Sequence, residues 1–178
     1  MMKGKKVLAF VVTASLAASL AFPPMALAKV SVDDQELAQG ENSVGGGTAT
    51  LSETALDMIN VIANSVRVDE DLSVNFNGGN EVEVLTIEGS ANVELNYSGE
   101  NEVEDTHVYD QANVTVNANG NNEFEEIEAY DDSNVTVNVT GENDFETIEA
   151  RDNANITVRG TLRQPVCRRR RRTGCLWL

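Results

Sequence analysis

The chain is poor in most of the residues from which catalytic sites and small stapled folds are built. Its 178 residues include one histidine, two cysteines, three prolines and one tryptophan. A lone histidine, His107, excludes a multi-histidine metal site within one chain. Both cysteines, Cys167 and Cys175, stand in the last twelve residues. Disulfides therefore do not build the body of the protein, and a bridge between the two would close only a small loop. Positive charge is nearly missing from the centre. From Asp71 to Gly160 there are 21 Asp and Glu against two Arg, Arg151 and Arg159. With a formal net charge of −16, such a chain repels nucleic acid and anionic membrane. It attracts cations and basic partners, or its acidity serves solubility alone. Gly78-Gly79 and Gly45-Gly46-Gly47 lack the following Lys-Ser/Thr of a phosphate loop, and there is no Gly-x-Ser-x-Gly elbow.

Long apolar runs are scarce too. The one present covers the 16 residues from Val7 to Phe22, behind Lys3, Lys5 and Lys6. Pro23-Pro24 breaks it, and Ala26-Leu27-Ala28 fits a small-x-small cleavage rule. Residues 1–28 thus read as a secretory signal peptide, too short and too abruptly ended for a membrane anchor. The expectation is an exported protein, secreted or at the cell surface, with no membrane attachment after cleavage.

What the chain has in abundance is a repeat. From Leu72 to Gly160 the sequence recurs every 21 residues without a gap. Successive rows read NVELNYSGENEVEDTHVYDQA, NVTVNANGNNEFEEIEAYDDS and NVTVNVTGENDFETIEARDNA. Gly78, Gly99, Gly120 and Gly141 fall in register, as do Asn80, Asn101, Asn122 and Asn143. A fixed period of this size marks a repeat architecture. Within a row apolar residues alternate, as in Val114, Val116 and Ala118, and again in Ile127 and Ala129. Period two and β-branched residues argue strands. The fold class expected is all-β: a parallel β-solenoid (β-helix) with 21-residue coils, preceded by a short N-terminal capping α-helix. Phe124 and Ile127 stand three apart, which breaks the alternation and suggests a corner, and so a coil of three sides. The rival topology is an antiparallel meander turned at Gly-Glu-Asn.

The domain reading follows. Residues 29–48 are polar, end in three glycines and suggest a flexible leader. Residues 49–70 hold the capping helix and a lead-in strand, because Ala55, Leu56, Ile59, Ile62, Ala63 and Val66 recur at three and four residues. Residues 71–161 are the solenoid. Residues 162–178 are an anomalous tail, LRQPVCRRRRRTGCLWL, whose composition reverses all that precedes it. It reads as a frameshift or truncation product, or as a basic tail that docks on an acidic surface.

Three sets of repeated residues carry the functional expectations. Asn75, Asn96, Asn117 and Asn138 would form one ladder, and Asn92, Asn113, Asn134 and Asn155 another, bonding coil to coil. Glu81, Glu102, Glu123 and Asp144 share an outward column, and Glu83, Glu104, Glu125 and Glu146 share the next. Asp110, Asp131 and Asp152 line a corner. Stacked at strand spacing, neighbouring carboxylates would repel by about 1 kcal/mol per pair in high dielectric. Calcium, the one cofactor considered, could relieve this through the two Glu/Asp columns. The recognised nonapeptide calcium motif is absent, so the alternative is a solvated acidic face. Tyr109 and Tyr130 share a column with Glu88 and Arg151, and exposed tyrosines would favour sugar binding. No catalytic residue is assigned, since abundant carboxylates without a convergent set make no active site.

Rows of the kind NVTVNVTGENDFETIEARDNA behind a signal peptide resemble the β-helical repeat regions of secreted bacterial surface and adhesin-like proteins. The resemblance covers Leu72 to Gly160 and is one of pattern, without a family-specific motif. It implies an exported, non-enzymatic structural or adhesive module. The alternatives are a glycan- or calcium-binding module and a polysaccharide-active β-helix enzyme. An extracellular glycan or protein is the expected partner, with end-to-end self-association at the solenoid end near Arg159.

Overall fold

The computed structural model describes residues 30–160, together with the backbone of two short strands at 167–169 and 175–177. The expected signal peptide and most of the basic tail lie outside the described residues. Every regular element described is a β-strand.

The N-terminal part is antiparallel. It comprises β1 (Val30–Val32), β2 (Gln35–Glu36), β3 (Gly40–Val44) and β4 (Gly47–Leu51), followed by β5 (Ala55–Ile59) and β6 (Ile62–Val68). β1 lies between β2 and β6, and β4 between β3 and β5, all antiparallel. Val30, Val32, Ala49 and Leu51 are buried beneath this layer. The segment expected as a flexible leader is thus a pair of edge ribbons over the first coil.

The capping helix is corrected as well. Its residues form β5 and β6, the first coil of the solenoid. The helical spacing arose because the coil is short. Leu56 pairs with Val74 and Ala63 with Val82, offsets of 18 and 19, whereas Val74 pairs with Leu95, an offset of 21. Asn60, at φ 53°, makes the corner between the two strands. The three-residue step from Ala63 to Val66 is the same step that separates Phe124 from Ile127 in a full row. Capping is needed, but antiparallel strands supply it.

From there the chain coils regularly: β7 (Leu72–Asn77), β8 (Glu81–Ile87), β9 (Asn92–Gly99), β10 (Glu102–Val108), β11 (Asn113–Gly120), β12 (Glu123–Ala129), β13 (Asn134–Gly141), β14 (Asp144–Ala150) and β15 (Asn155–Arg159). Even-numbered strands from β6 to β14 form parallel sheet A; odd-numbered strands from β5 to β15 form parallel sheet B. The pairs β5–β6 to β13–β14 make five coils. Each coil has two sides, not three: Phe124 and Ile127 lie on the same strand. The strand bends between them, and Glu125 drops out of the paired register that holds Phe124 and Glu126. Two further strands, β16 (Cys167–Arg169) and β17 (Cys175–Trp177), pair with β14 and β15. The sheets therefore do not end at Arg159, because the edges there find partners in the chain that follows.

The two corners differ in chemistry. At the first, Gly120 and Gly141 have φ of 123° and 89°, and a Cβ would fall 2.5 and 2.6 Å from the glycine carbonyl one coil below. Close coil stacking requires glycine there. At the second, Asp110, Asp131 and Asp152 take φ of 60°, 57° and 55°. Their short polar side chains tolerate this region, and Asp131 Oδ2 accepts the Asp110 backbone N–H at 3.2 Å.

The core lies between the sheets and balances volume across them. One sheet-B column runs Phe76, Tyr97, Ala118, Val139; the facing part of sheet A runs Val82, Val103, Phe124, Phe145. Where one side is aromatic the other is aliphatic. Phe76 stacks on Tyr97 at 4.5 Å, and Phe124 on Phe145 at 4.6 Å. The stack changes sheets between the third and fourth coils, where Tyr97 meets Phe124 edge to face at 4.9 Å and 89°. Ala118 leaves the room for Phe124 above Tyr97.

Candidate functional site

The acidic columns expected from sequence come together on the outer face of sheet A. Glu81, Glu102, Glu123 and Asp144 are direct partners strand to strand and are exposed. Glu83, Glu104, Glu125 and Glu146 stand at the bend, on the same face. Desolvation, then the carboxylates of Glu125 and Glu83 on the adjoining coils, raise Glu104 above the usual carboxylate range. At the glycine corner an acidic hollow of about 330 Å³ is lined by Glu81, Glu100, Glu102 and Glu123 around Asn101. The third acidic column, Asp110, Asp131 and Asp152, sits at the opposite corner, where the Asp110 and Asp131 carboxylates accept backbone N–H groups.

A second group on sheet A was not legible as a site. Glu128 and Glu149 belong to the column of His107, which alternation points outward, yet they are only 4% and 6% exposed. Tyr109, Tyr130 and Arg151, two residues further along each row, fold back over them. Tyr130 donates its hydroxyl to Glu128 Oε2, and the Arg151 guanidinium forms an ion pair with Glu128 Oε1. Arg151 also reaches Glu149 Oε2 at 3.2 Å, and His107 Nε2 lies 3.6 Å from Glu128 Oε2. Burial, then the bond to Glu128, push the Tyr130 hydroxyl well above the ordinary tyrosine range. Burial and Glu128 do the same, less strongly, to Tyr109. Desolvation opposes it, but Glu128, Tyr130 and Glu149 hold the Arg151 guanidinium above its usual value. Desolvation and the neighbouring Glu128 and Asp105 carboxylates raise Glu126. Carboxylate oxygens of Glu126, Glu128 and Glu149 lie within 4.8 Å of one another, close enough to share a cation. Arg151 supplies that cation from the chain itself. The signal that could have found the cluster was the Arg two residues after a Glu, beside strands β8 to β14 that carry no Lys or Arg.

The tyrosines are in register, as expected. Tyr109 and Tyr130 stack face to face at 4.7 Å and 16°. The Arg151 guanidinium of the next coil lies 5.2 Å from the Tyr130 centroid, and His107 meets both rings edge-on at 5.9 and 6.1 Å. Tyr130 is thus flanked by Tyr109 from the coil below and Arg151 from the coil above.

The asparagine ladders form. Asn96, Asn117 and Asn138 each donate Nδ2 to the Oδ1 one coil below, at 3.0, 2.8 and 2.8 Å. The Asn92 column repeats this more loosely, at 3.2 to 3.4 Å. The strongest ladder is inside: Asn80, Asn101 and Asn122 donate Nδ2 to the Oδ1 one coil above, at 2.8, 2.8 and 2.7 Å. All four members of that column are buried.

The outer faces of the two sheets differ sharply. Sheet A carries twelve carboxylates over β8 to β14: two, three, four and three per strand. Over β7, β9, β11 and β13 of sheet B, Glu94 is the single charge. Its outward positions are Asn, Ser and Thr, such as Asn113, Thr115, Asn117 and Asn119.

Compared with protein-family models, with curated proteins and with solved structures, the chain matches none. The β-solenoid is therefore what the structure itself establishes, from strand pairing alone.

Proposed function

We propose that this protein is an exported, non-enzymatic β-solenoid that serves as a structural or adhesive module, secreted or at the cell surface. The observation that carries the reading is the register. From β7 to β13 the strands of sheet B pair residue on residue at an unbroken offset of 21, so each outward column repeats once per coil. Such a rod presents the same groups many times at one pitch, which suits multivalent contact with an extended partner. The basic segment and apolar run at residues 3–22 support export.

The test is expression of the full chain, with its own leader, in a bacterial host. The expected result is recovery of processed protein outside the cytoplasm and increased adherence of the cells to a surface or to one another. Retention in the cytoplasm with an uncut leader would overturn export; export without any gain in adherence would leave only the structural role.

A cation-binding role is the second reading. It is favoured by the direct stacking of Glu81, Glu102, Glu123 and Asp144 and by the raised Glu104.

A further inference from the structure

We infer that the outer face of sheet B is a binding surface for a neutral, hydroxyl-rich polysaccharide; the inference deepens the adhesive reading and rests on it. The argument starts from charge. The protein is acidic nearly everywhere, yet β7, β9, β11 and β13 expose amides and hydroxyls with only Glu94 among them. Even Glu94 is engaged, accepting from Asn117 Nδ2 at 2.8 Å. A basic partner gains nothing on this face and is drawn to sheet A instead. An anionic partner is repelled by the molecule as a whole. An uncharged partner fits the face.

Hydrogen-bonding capacity narrows the choice. Within the ladder Asn96 spends one N–H on Asn75 and one oxygen lone pair on Asn117, Asn117 spends both N–H groups, on Asn96 and Glu94, and one lone pair on Asn138, and Asn138 spends one N–H on Asn117. An amide has two N–H and two lone pairs, so one oxygen lone pair at each position, and the second N–H of Asn96 and Asn138, are left over from these bonds. The hydroxyls of Thr115 and Thr136 lie in the adjoining column, paired in register. The result is a grid of donors and acceptors, repeated at strand spacing and held rigid by the ladders. Rigid, repeated polar groups match a polymer of repeated hydroxyls better than a small ligand, because each coil adds a contact at little further entropic cost. The face also has relief. A shallow depression of about 260 Å³ lies between β9 and β11, lined by Asn92, Val93, Glu94, Asn113 and Thr115.

A second copy of the chain is the main competitor for the same face, since stacked asparagines can zip two sheets together. A net charge of −16 on each copy opposes that approach.

The test is co-sedimentation of the full mature chain with insoluble cellulose, chitin and β-1,3-glucan, and with gelled polygalacturonate as the anionic control. The expected result is binding to at least one neutral polymer, unchanged between low and high salt, and none to polygalacturonate. Replacing two outward threonines of sheet B, Thr115→Glu with Thr136→Glu, should weaken binding about tenfold or more. The sheet-A pair Glu125→Gln with Glu146→Gln should bind as the parent does, and an unchanged circular dichroism spectrum confirms that each variant folds. Binding to none of the neutral polymers, or binding indifferent to the sheet-B pair, overturns the inference. So does concentration-dependent self-association, by light scattering, that the sheet-B pair abolishes; the face then belongs to a second copy. If cells bearing the protein still adhere while no neutral polymer is bound, the adhesive reading stands without this surface; loss of both removes both.

Discussion

Individual side chains in this protein matter through what lies one coil above and below. Asn122 is the clearest case. Its Oδ1 accepts from Asn101 Nδ2 at 2.8 Å and from the Asn101 backbone N–H at 3.3 Å, and its own Nδ2 donates to Asn143 at 2.7 Å. Asn122→Ala leaves the buried Asn101 backbone N–H without its acceptor and takes one bond each from Asn101 Nδ2 and Asn143 Oδ1, a loss of about 1–3 kcal/mol. The half-exposed Asn117 can be replaced by water, so Asn117→Ala should cost about 1 kcal/mol or less. Urea denaturation of the two variants gives the comparison; equal losses would show that burial does not set the value of a ladder. Gly120→Ala places a methyl 2.5 Å from the Gly99 carbonyl at a φ of 123°, and should destabilise by roughly 2–4 kcal/mol. The tyrosines supply a spectroscopic check. The protein has three, and all are raised: Tyr97 by burial, and Tyr109 and Tyr130 by burial and by Glu128. Because the folded chain holds these protons more tightly than the unfolded one, their contribution is complete at neutral pH and is lost as pH rises above the ordinary tyrosine range. Tyrosinate absorbance should therefore appear at higher pH in the folded chain than in the urea-unfolded chain. Coincident titration of the folded and unfolded chains would contradict the assignment.

Strands and corners show what could be read without coordinates. Wherever the 21-residue offset held, pairing followed it: Val114 on Val135, Asn113 on Asn134, Gly120 on Gly141. A parallel ladder in register makes sequence columns into spatial columns, so the asparagine and glutamate ladders were legible. The first coil was not, because corners shortened to offsets of 18 and 19 hid its kinship with the other rows. Deprived of its row, an alternation with one three-residue step imitates a helix. The side count was missed for a related reason. Alternation tells that a strand bends, but not whether the bend at Glu125 ends it. The switch of the aromatic stack is an element-level feature that columns show once both sheets are known. Tyr97, Ala118 and Phe124 fill one layer jointly. Phe124→Val alone opens a cavity above Tyr97 and should cost about 2–4 kcal/mol. Adding Ala118→Phe moves the aromatic ring to sheet B, as in the two coils before, and should recover at least half of the loss. A double variant no better than the sum of the singles, measured by thermal unfolding, would mean that the sheets do not trade volume.

The molecule as a whole is a rod with one acidic and one neutral side, and its stability should follow the acidic one. Glu104 and Glu126 are raised in the folded state. A carboxyl raised on folding takes up its proton earlier in the folded chain than in the unfolded chain. The fold therefore gains as pH falls from neutral toward the ordinary carboxylate range, where the strain of the ladders is relieved. Asp71 runs the other way: its bonds to the Asn92 backbone and side-chain N–H lower it, so its contribution is lost on further acidification. The melting temperature should thus pass through a maximum at mildly acidic pH and fall on either side. Added salt should raise the neutral limb, since screening weakens repulsion among exposed charges. Arg151 sets the exception on this face. Arg151→Ala removes the cation beside Glu128, which is only 4% exposed, and should cost about 2–3 kcal/mol at neutral pH by thermal or urea unfolding. Calcium separates general screening from a specific seat. If Glu81, Glu102, Glu123 and Asp144, with Glu83, Glu104, Glu125 and Glu146, hold calcium, millimolar calcium should raise the melting temperature beyond magnesium at equal ionic strength, because calcium accepts irregular oxygen sets that magnesium does not. The excess should vanish in Glu102→Gln with Glu123→Gln, which removes the centre of the column and leaves the bend residues in place. Equal effects of the two ions would assign the ladders to solvation and screening.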